Sequence, residues 1–162
     1  PSPSGFFNDP DAPQANSPHE MQRYMNKISG PLLDRIDIHI EVTPVPFEKL
    51  SDDRKAESSV EIRKRVTQAR EIQSARFEEM PNLHYNAQMS TKHIREFCAL
   101  DDTSKDLLKN AMERLNLSAR AYDRILKVAR TIADLENSQN VLSNHIAEAI
   151  QYRSLDRDGW LG

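Results

Sequence analysis

Residues 115–136 read LNLSARAYDRILKVARTIADLE. Tyr122, Ile125, Leu126, Ala129, Ile132 and Ala133 recur at three- and four-residue intervals, the spacing of one face of an α-helix. Ser118 stands before them as an N-cap. The stretch therefore predicts a helix over Ala119–Leu135, the longest in the chain, buried along that stripe. Nothing in it alternates with period two, so it points to a helical bundle rather than a sheet.

The same reading extends in both directions. Downstream, Ser143 is placed to cap a last helix with Ile146, Ala149 and Ile150 inward, and the tail from Ser154 is expected to fray, with Trp160 either docked or loose. Upstream, Leu107, Leu108, Ala111, Met112 and Leu115 predict a helix over about 103–115, and a short one lies near 91–98. The stretch 84–90 reads as a connection. Ser58 and Glu61 form a capping box, opening a helix to about Phe77 with Ile62, Val66, Ala69 and Ile72 on one face. A further box, Ser17 with Glu20, opens a helix that Gly30 and Pro31 stop. Between Ile36 and Val42 the pattern changes: Ile36, Ile38, Ile40 and Val42 alternate with Asp37, His39 and Glu41, so one strand is expected there. A lone strand needs a partner, so its sheet is expected to be built by sequence outside this chain. Residues 1–16 read as loop. The chain starts at Pro1 without Met, which is expected of a fragment or processed product.

Composition narrows the function. The chain has 162 residues and a net charge of -3, without the basic excess of a typical nucleic-acid module. Its four glycines, at positions 5, 30, 159 and 162, offer no pair spaced for a phosphate-binding loop or a dinucleotide fingerprint. The single Cys98 excludes an internal disulfide and a multi-cysteine zinc site; it reads as a buried small hydrophobe. The five histidines include no i, i+4 pair, so no metal site is expected. No apolar run approaches a membrane span, and a cytoplasmic protein is expected. The helix from Ser58 carries Arg63, Lys64, Arg65, Arg70 and Arg76 against Glu61 and Glu71. That excess could touch nucleic-acid phosphates, although a solvated face is the commoner meaning of such a run. Phe97 and Tyr122 read as core rather than base-stacking residues.

Two long stretches, RYMNKISGPLLDRIDIHIEV at 23–42 and LNLSARAYDRILKVARTIADLE at 115–136 with HIAEAIQYRSLDR at 145–157, resemble the C-terminal part of magnesium-chelatase-like AAA+ ATPases of the ComM competence type. The resemblance implies a mainly α fold: a helical AAA+ lid bundle preceded by the end of an α/β ATPase core, one strand and a helix. It divides the chain into a core remnant over 1–57, a linking helix and connection over 58–90, a lid over 91–157 and a tail over 158–162. It further implies a homohexameric, ATP- and Mg²⁺-dependent DNA motor for helicase or branch-migration work in recombination or transformation. The phosphate loop, Walker B acid and sensor 1 would lie upstream, so this chain alone would hold no nucleotide and have no ATPase activity. In that pattern Arg35, within GPLLDRID, corresponds to an arginine finger acting on the neighbouring subunit's nucleotide. Arg120 corresponds to sensor 2, reaching the γ-phosphate within its own subunit. From the residues alone, Arg35 reads as a salt-bridge partner of Asp34 or Asp37, and Arg120 cannot be told from Arg114 or Arg124. Relatives carry cysteines where this chain has Ser2, Ser4, Gln14 and Asn16, so no zinc is expected. Two other functions stay open: a stand-alone helical interaction or DNA-binding module, and a magnesium-chelatase-type ATPase subunit.

Overall fold

The computed structural model describes residues 30–33, 35–40, 42, 45 and 57–153. The loop over 1–16 with its four cysteine-replacing positions, the helix from Ser17, and the Trp160 tail lie outside the described residues. Helix α1 spans Gly30–Leu33, α2 Ser59–Arg76, α3 Thr91–Phe97, α4 Asp102–Arg114, α5 Ala119–Leu135 and α6 Ser143–Gln151, with a 3₁₀ turn at Asn86–Gln88 between α2 and α3. The described residues are thus mainly α-helical, with no strand among them.

Local chemistry sets the helix ends. The Ser58 hydroxyl accepts from the Glu61 amide at 3.3 Å and the Ser118 hydroxyl from the Ala121 amide at 3.2 Å. Asp101 caps α4 through the Ser104 amide at 2.7 Å, and the Ser104 hydroxyl and amide beside it hold its carboxyl below the usual aspartate range. Each satisfies a donor that the first helical turn cannot. At the other end, α4 and α5 stop on Asn116 and Asn137, with φ of 48° and 56°. Asparagine tolerates this left-handed conformation better than most residues. It lets the Leu117 amide reach back to the Met112 carbonyl at 3.0 Å and the Ser138 amide to that of Ala133 at 2.8 Å, closing both helices with Schellman bonds.

Helix α5 is the centre of the bundle. Ile125, Leu126, Ala129, Ile132 and Ala133 are buried, packed with Leu108, Ile146 and Ala149 from the helices around them and Val141 from the connection before α6. Phe77, Leu83, Met89, Ile94 and Cys98 complete this core, with Phe97 edge-on to Phe77 at 5.6 Å between ring centroids. Residues 84–90, read as a connection, therefore contribute to the bundle: Asn86 and Met89 are both buried.

Several expectations are corrected. Residues 36–40 form no ladder. A strand requires a second backbone, and here the His39 amide donates instead to the Tyr152 carbonyl at 2.7 Å. The helix expected from Ser17 up to Gly30 and Pro31 lies outside the described residues, while Gly30 and Pro31 themselves open α1; proline is tolerated there because first-turn amides have no intrahelical acceptor. On α2 only the C-terminal half of the expected stripe is covered. Ala69 is buried, whereas Ile62 is 42% and Val66 47% exposed, because α5 and the 3₁₀ turn reach no further. With 18 residues, α2 is one longer than α5. Tyr122 lies exposed at the edge of its stripe. Finally, α6 is capped not by Ser143 but at Leu142, whose amide donates to Nδ1 of His145 at 2.9 Å.

Candidate functional site

A buried polar hub fixes the frame on which the candidate arginines stand. Asp134, fully buried on α5, accepts both terminal nitrogens of Arg76, one of them at 2.8 Å, together with Asn86 Nδ2 at 2.7 Å and Arg130 Nε at 3.1 Å. The other nitrogens of Arg130 donate to the Gln139 and Ser138 carbonyls at 2.8 and 2.6 Å. Two guanidinium groups thus face one carboxylate. The excess positive charge is met by carbonyls just past the C-terminus of α5, where the helix dipole is negative. Burial pulls Arg130 below the ordinary arginine range, with Asp134 opposing the shift. The hub joins α2, the 3₁₀ turn, α5 and the loop after it. It also removes Arg76 from the basic face read on α2. Arg65 is paired with Glu57, and Arg70 lies over the Tyr85 ring at 4.7 Å, so Arg63 and Lys64 remain as the free-standing cations of that run among the described residues.

Arg120 is the second residue of α5. Its side chain is exposed at the end where Ser118 caps the helix. Such an end, with amides pointing outward, favours anions. Arg35 follows α1 on a turn closed by the Arg35 amide donating to the Leu32 carbonyl and the Ile36 amide to that of Leu33, both at 3.0 Å. Its side chain is exposed too. Among the described residues neither arginine is in an ion pair. Asp37, weighed as a partner for Arg35, pairs instead with Arg124. That pair joins the segment carrying Arg35 to the helix carrying Arg120, one turn beyond Arg120. Arg153, 1% exposed, donates to the Ile36 carbonyl. Between this segment, α5 and α6 lies a cleft of about 290 Å³ lined by Ile38, Lys127, Thr131, Glu148 and Tyr152 among others.

Sequence reading missed three residues that organise this region: Asp134, Arg124 as the partner of Asp37, and Arg153. Asp134 carried a signal. It lies four residues after Arg130, and both adjoin the apolar stripe of α5. A charged pair at i, i+4 on a buried face must be satisfied from outside the helix. The other two carried none, because the contacts span 87 and 117 residues of sequence. Cys98 is buried as expected, and burial raises its thiol to about 11. No group of three or more metal-ligating side chains occurs among the described residues.

Comparison with known proteins agrees with this architecture. Residues 56–153 match the family described as magnesium chelatase, subunit ChlI C-terminal, and residues 1–50 match magnesium chelatase, subunit ChlI. The chain belongs to the magnesium-chelatase-like family of ComM type. It is 42% identical over 159 residues to competence protein ComM of Haemophilus influenzae, covering 97% of this chain and 30% of that protein. It is 38% identical over 162 residues to the uncharacterized protein YifB of Salmonella typhimurium, again covering 97% and 30%. With the uncharacterized protein Rv2897c of Mycobacterium tuberculosis the identity is 32% over 132 residues, 82% of this chain and 26% of that one. The chain thus spans under a third of the length of these relatives. Membership makes it part of an AAA+ family. No helix among the described residues is long and apolar enough to cross a membrane.

Proposed function

We propose that this chain is the C-terminal part of a hexameric, ATP-driven AAA+ motor acting on DNA, in branch migration or unwinding during recombination or transformation. In this reading residues 1–57 end the ATPase core, 58–90 link it to the lid, and 91–157 form the lid, followed by a short tail. The observation that carries the reading is the exposure of Arg35 and Arg120, one on each of the two segments that the Asp37–Arg124 pair joins. Arginines held on a fixed frame, with no carboxylate to neutralise them among the described residues, fit a polyphosphate. A forked cation matches phosphate oxygens and stays charged at any working pH. ATP supplies the transferable phosphoryl group. Arg120 binds it from the lid of its own subunit, at a helix terminus that already favours anions. Arg35 reaches the neighbouring subunit's nucleotide and stabilises the charge that spreads over the phosphoryl oxygens. Mg²⁺ accompanies the nucleotide, and in this reading its ligands lie with the phosphate loop and the Walker B acid. The chain alone is expected to turn over no ATP.

The experiment is made in the full-length protein. Arg35→Ala should lower the ATP turnover number by about 10³–10⁵ while leaving nucleotide binding intact. Arg120→Ala should weaken nucleotide binding or hydrolysis without lowering the melting temperature of the bundle, as removing an exposed arginine costs within about 0.5 kcal/mol. Near-normal turnover in both variants would refute the reading.

A further inference from the structure

The first turns of α5 carry a carboxylate that competes for Arg120. Arg120 and Asp123 stand three residues apart on this helix, a separation at which an arginine and an aspartate meet on the helix surface and pair. Asn116, Leu117 and Arg124 hold the other positions three or four residues away, so Asp123 is the one acidic neighbour that the helix itself supplies. Yet Arg120 is in no ion pair among the described residues. Asp123 is engaged from another helix. Its Oδ2 accepts from Oγ1 of Thr91 at 3.0 Å, and Thr91 is the first residue of α3. Asp123 thereby lines the cleft between α3 and α5 with Thr91, Ile94, Ala119 and Tyr122, and Arg120 stands outside that cleft. Both helices belong to one core, through Ile94 and Cys98 on one side and Ile125 and Leu126 on the other.

We propose that Thr91 is a positioning residue for Arg120: its hydroxyl holds the Asp123 carboxylate toward α3 and so leaves the Arg120 guanidinium free for a phosphate. The inference rests on the reading of Arg120 as a ligand of the ATP phosphates. A carboxylate and a phosphate bind the same donors of an arginine, so a carboxylate fixed on the same helix competes with ATP at every nucleotide concentration. A hydroxyl suits the task of restraining it. It donates one hydrogen bond to the carboxylate and brings no charge of its own near Arg120. Because Thr91 stands on α3 and Arg120 on α5, the readiness of Arg120 depends on the docking of these two helices against each other.

Thr91 is exposed and Asp123 half-buried, so the bundle tolerates conservative changes at both. In the full-length protein, Thr91→Val should lower kcat/KM for ATP about threefold, the scale of an exposed ion pair that now competes for Arg120. Thr91→Ser keeps the hydroxyl and should stay at the wild-type value. Asp123→Asn should restore that value in the Thr91→Val background, because an amide has no charge with which to hold the guanidinium. In an Arg120→Ala background Thr91→Val should cause no further loss, because Thr91 acts only through Arg120. An unchanged kcat/KM in Thr91→Val would overturn the proposal. A loss that persists with Asp123→Asn, or with Arg120→Ala, would overturn it too, since Thr91 would then act by another route. Near-normal kcat/KM in Arg120→Ala alone would instead defeat the reading of Arg120 on which the proposal rests.

Discussion

Helix α5 and the segment at 36–42 carry equally clear apolar periodicities, yet only one of them is buried. In α5 the residues at helical spacing form the centre of the core. In 36–42 the residues at period two point away from it, with Ile40 71% and Val42 72% exposed. The difference lies in where the backbone finds its hydrogen bonds. A helix satisfies its own amides and carbonyls and needs only a surface for its apolar stripe. A strand must borrow a second backbone, and among the described residues none is offered. What docks the segment is its polar side: Asp37 on Arg124, and the Ile36 and His39 backbone on Arg153 and Tyr152. Periodicity thus reports which face is meant to be covered, while the covering itself depends on a partner.

Three substitutions in this chain sharpen that contrast. Asp134→Ala should have the largest effect, about 4 kcal/mol of lost stability, because it leaves Arg76 and Arg130 buried without their carboxylate. Urea unfolding measures it, and a loss under about 1 kcal/mol would mean the hub contributes little to the frame. Leu126→Ala, in the middle of the α5 stripe, should cost about 3 kcal/mol through lost burial and the cavity left behind. Ile40→Ser should cost less than about 0.5 kcal/mol in the same assay, because its side chain, 71% exposed, has little covering to lose. A loss at Ile40 matching that at Leu126 would break the comparison, since the segment would then be held by apolar packing.

The helices were legible because each carries its own signals. Ser58 and Ser118 cap where expected, and Ala119–Leu135 begins and ends where its stripe does. Cap identity failed at α6, where the acceptor is a histidine nitrogen three residues into the helix, a device harder to see than a serine. The uncovered half of α2 was invisible for another reason. Ile62 and Val66 share a face with Ala69, and sequence cannot say how far along a helix the neighbour extends. At the candidate site, Arg35 and Arg120 were singled out by resemblance rather than by spacing, which left Arg114 and Arg124 equally eligible. The structure separates Arg124 from Arg120, since Arg124 is engaged by Asp37. The links that fix the Arg35 turn join residues far apart in sequence, and no local pattern announces them.

In the proposed reading the two arginines serve two different nucleotides, Arg120 that of its own subunit and Arg35 that of the next. Mixing full-length Arg35→Ala subunits with Arg120→Ala subunits, each inactive alone, tests it most directly. If the roles are divided as proposed, an interface is complete wherever an Arg35→Ala subunit holds the nucleotide and an Arg120→Ala neighbour supplies the finger. That arrangement occurs at about a quarter of interfaces in an equimolar ring. ATP turnover should then reappear on mixing, in proportion to those interfaces. Mixed rings that assemble yet stay as inactive as either parent would contradict the account, because both arginines would then have to come from the same subunit to the same nucleotide.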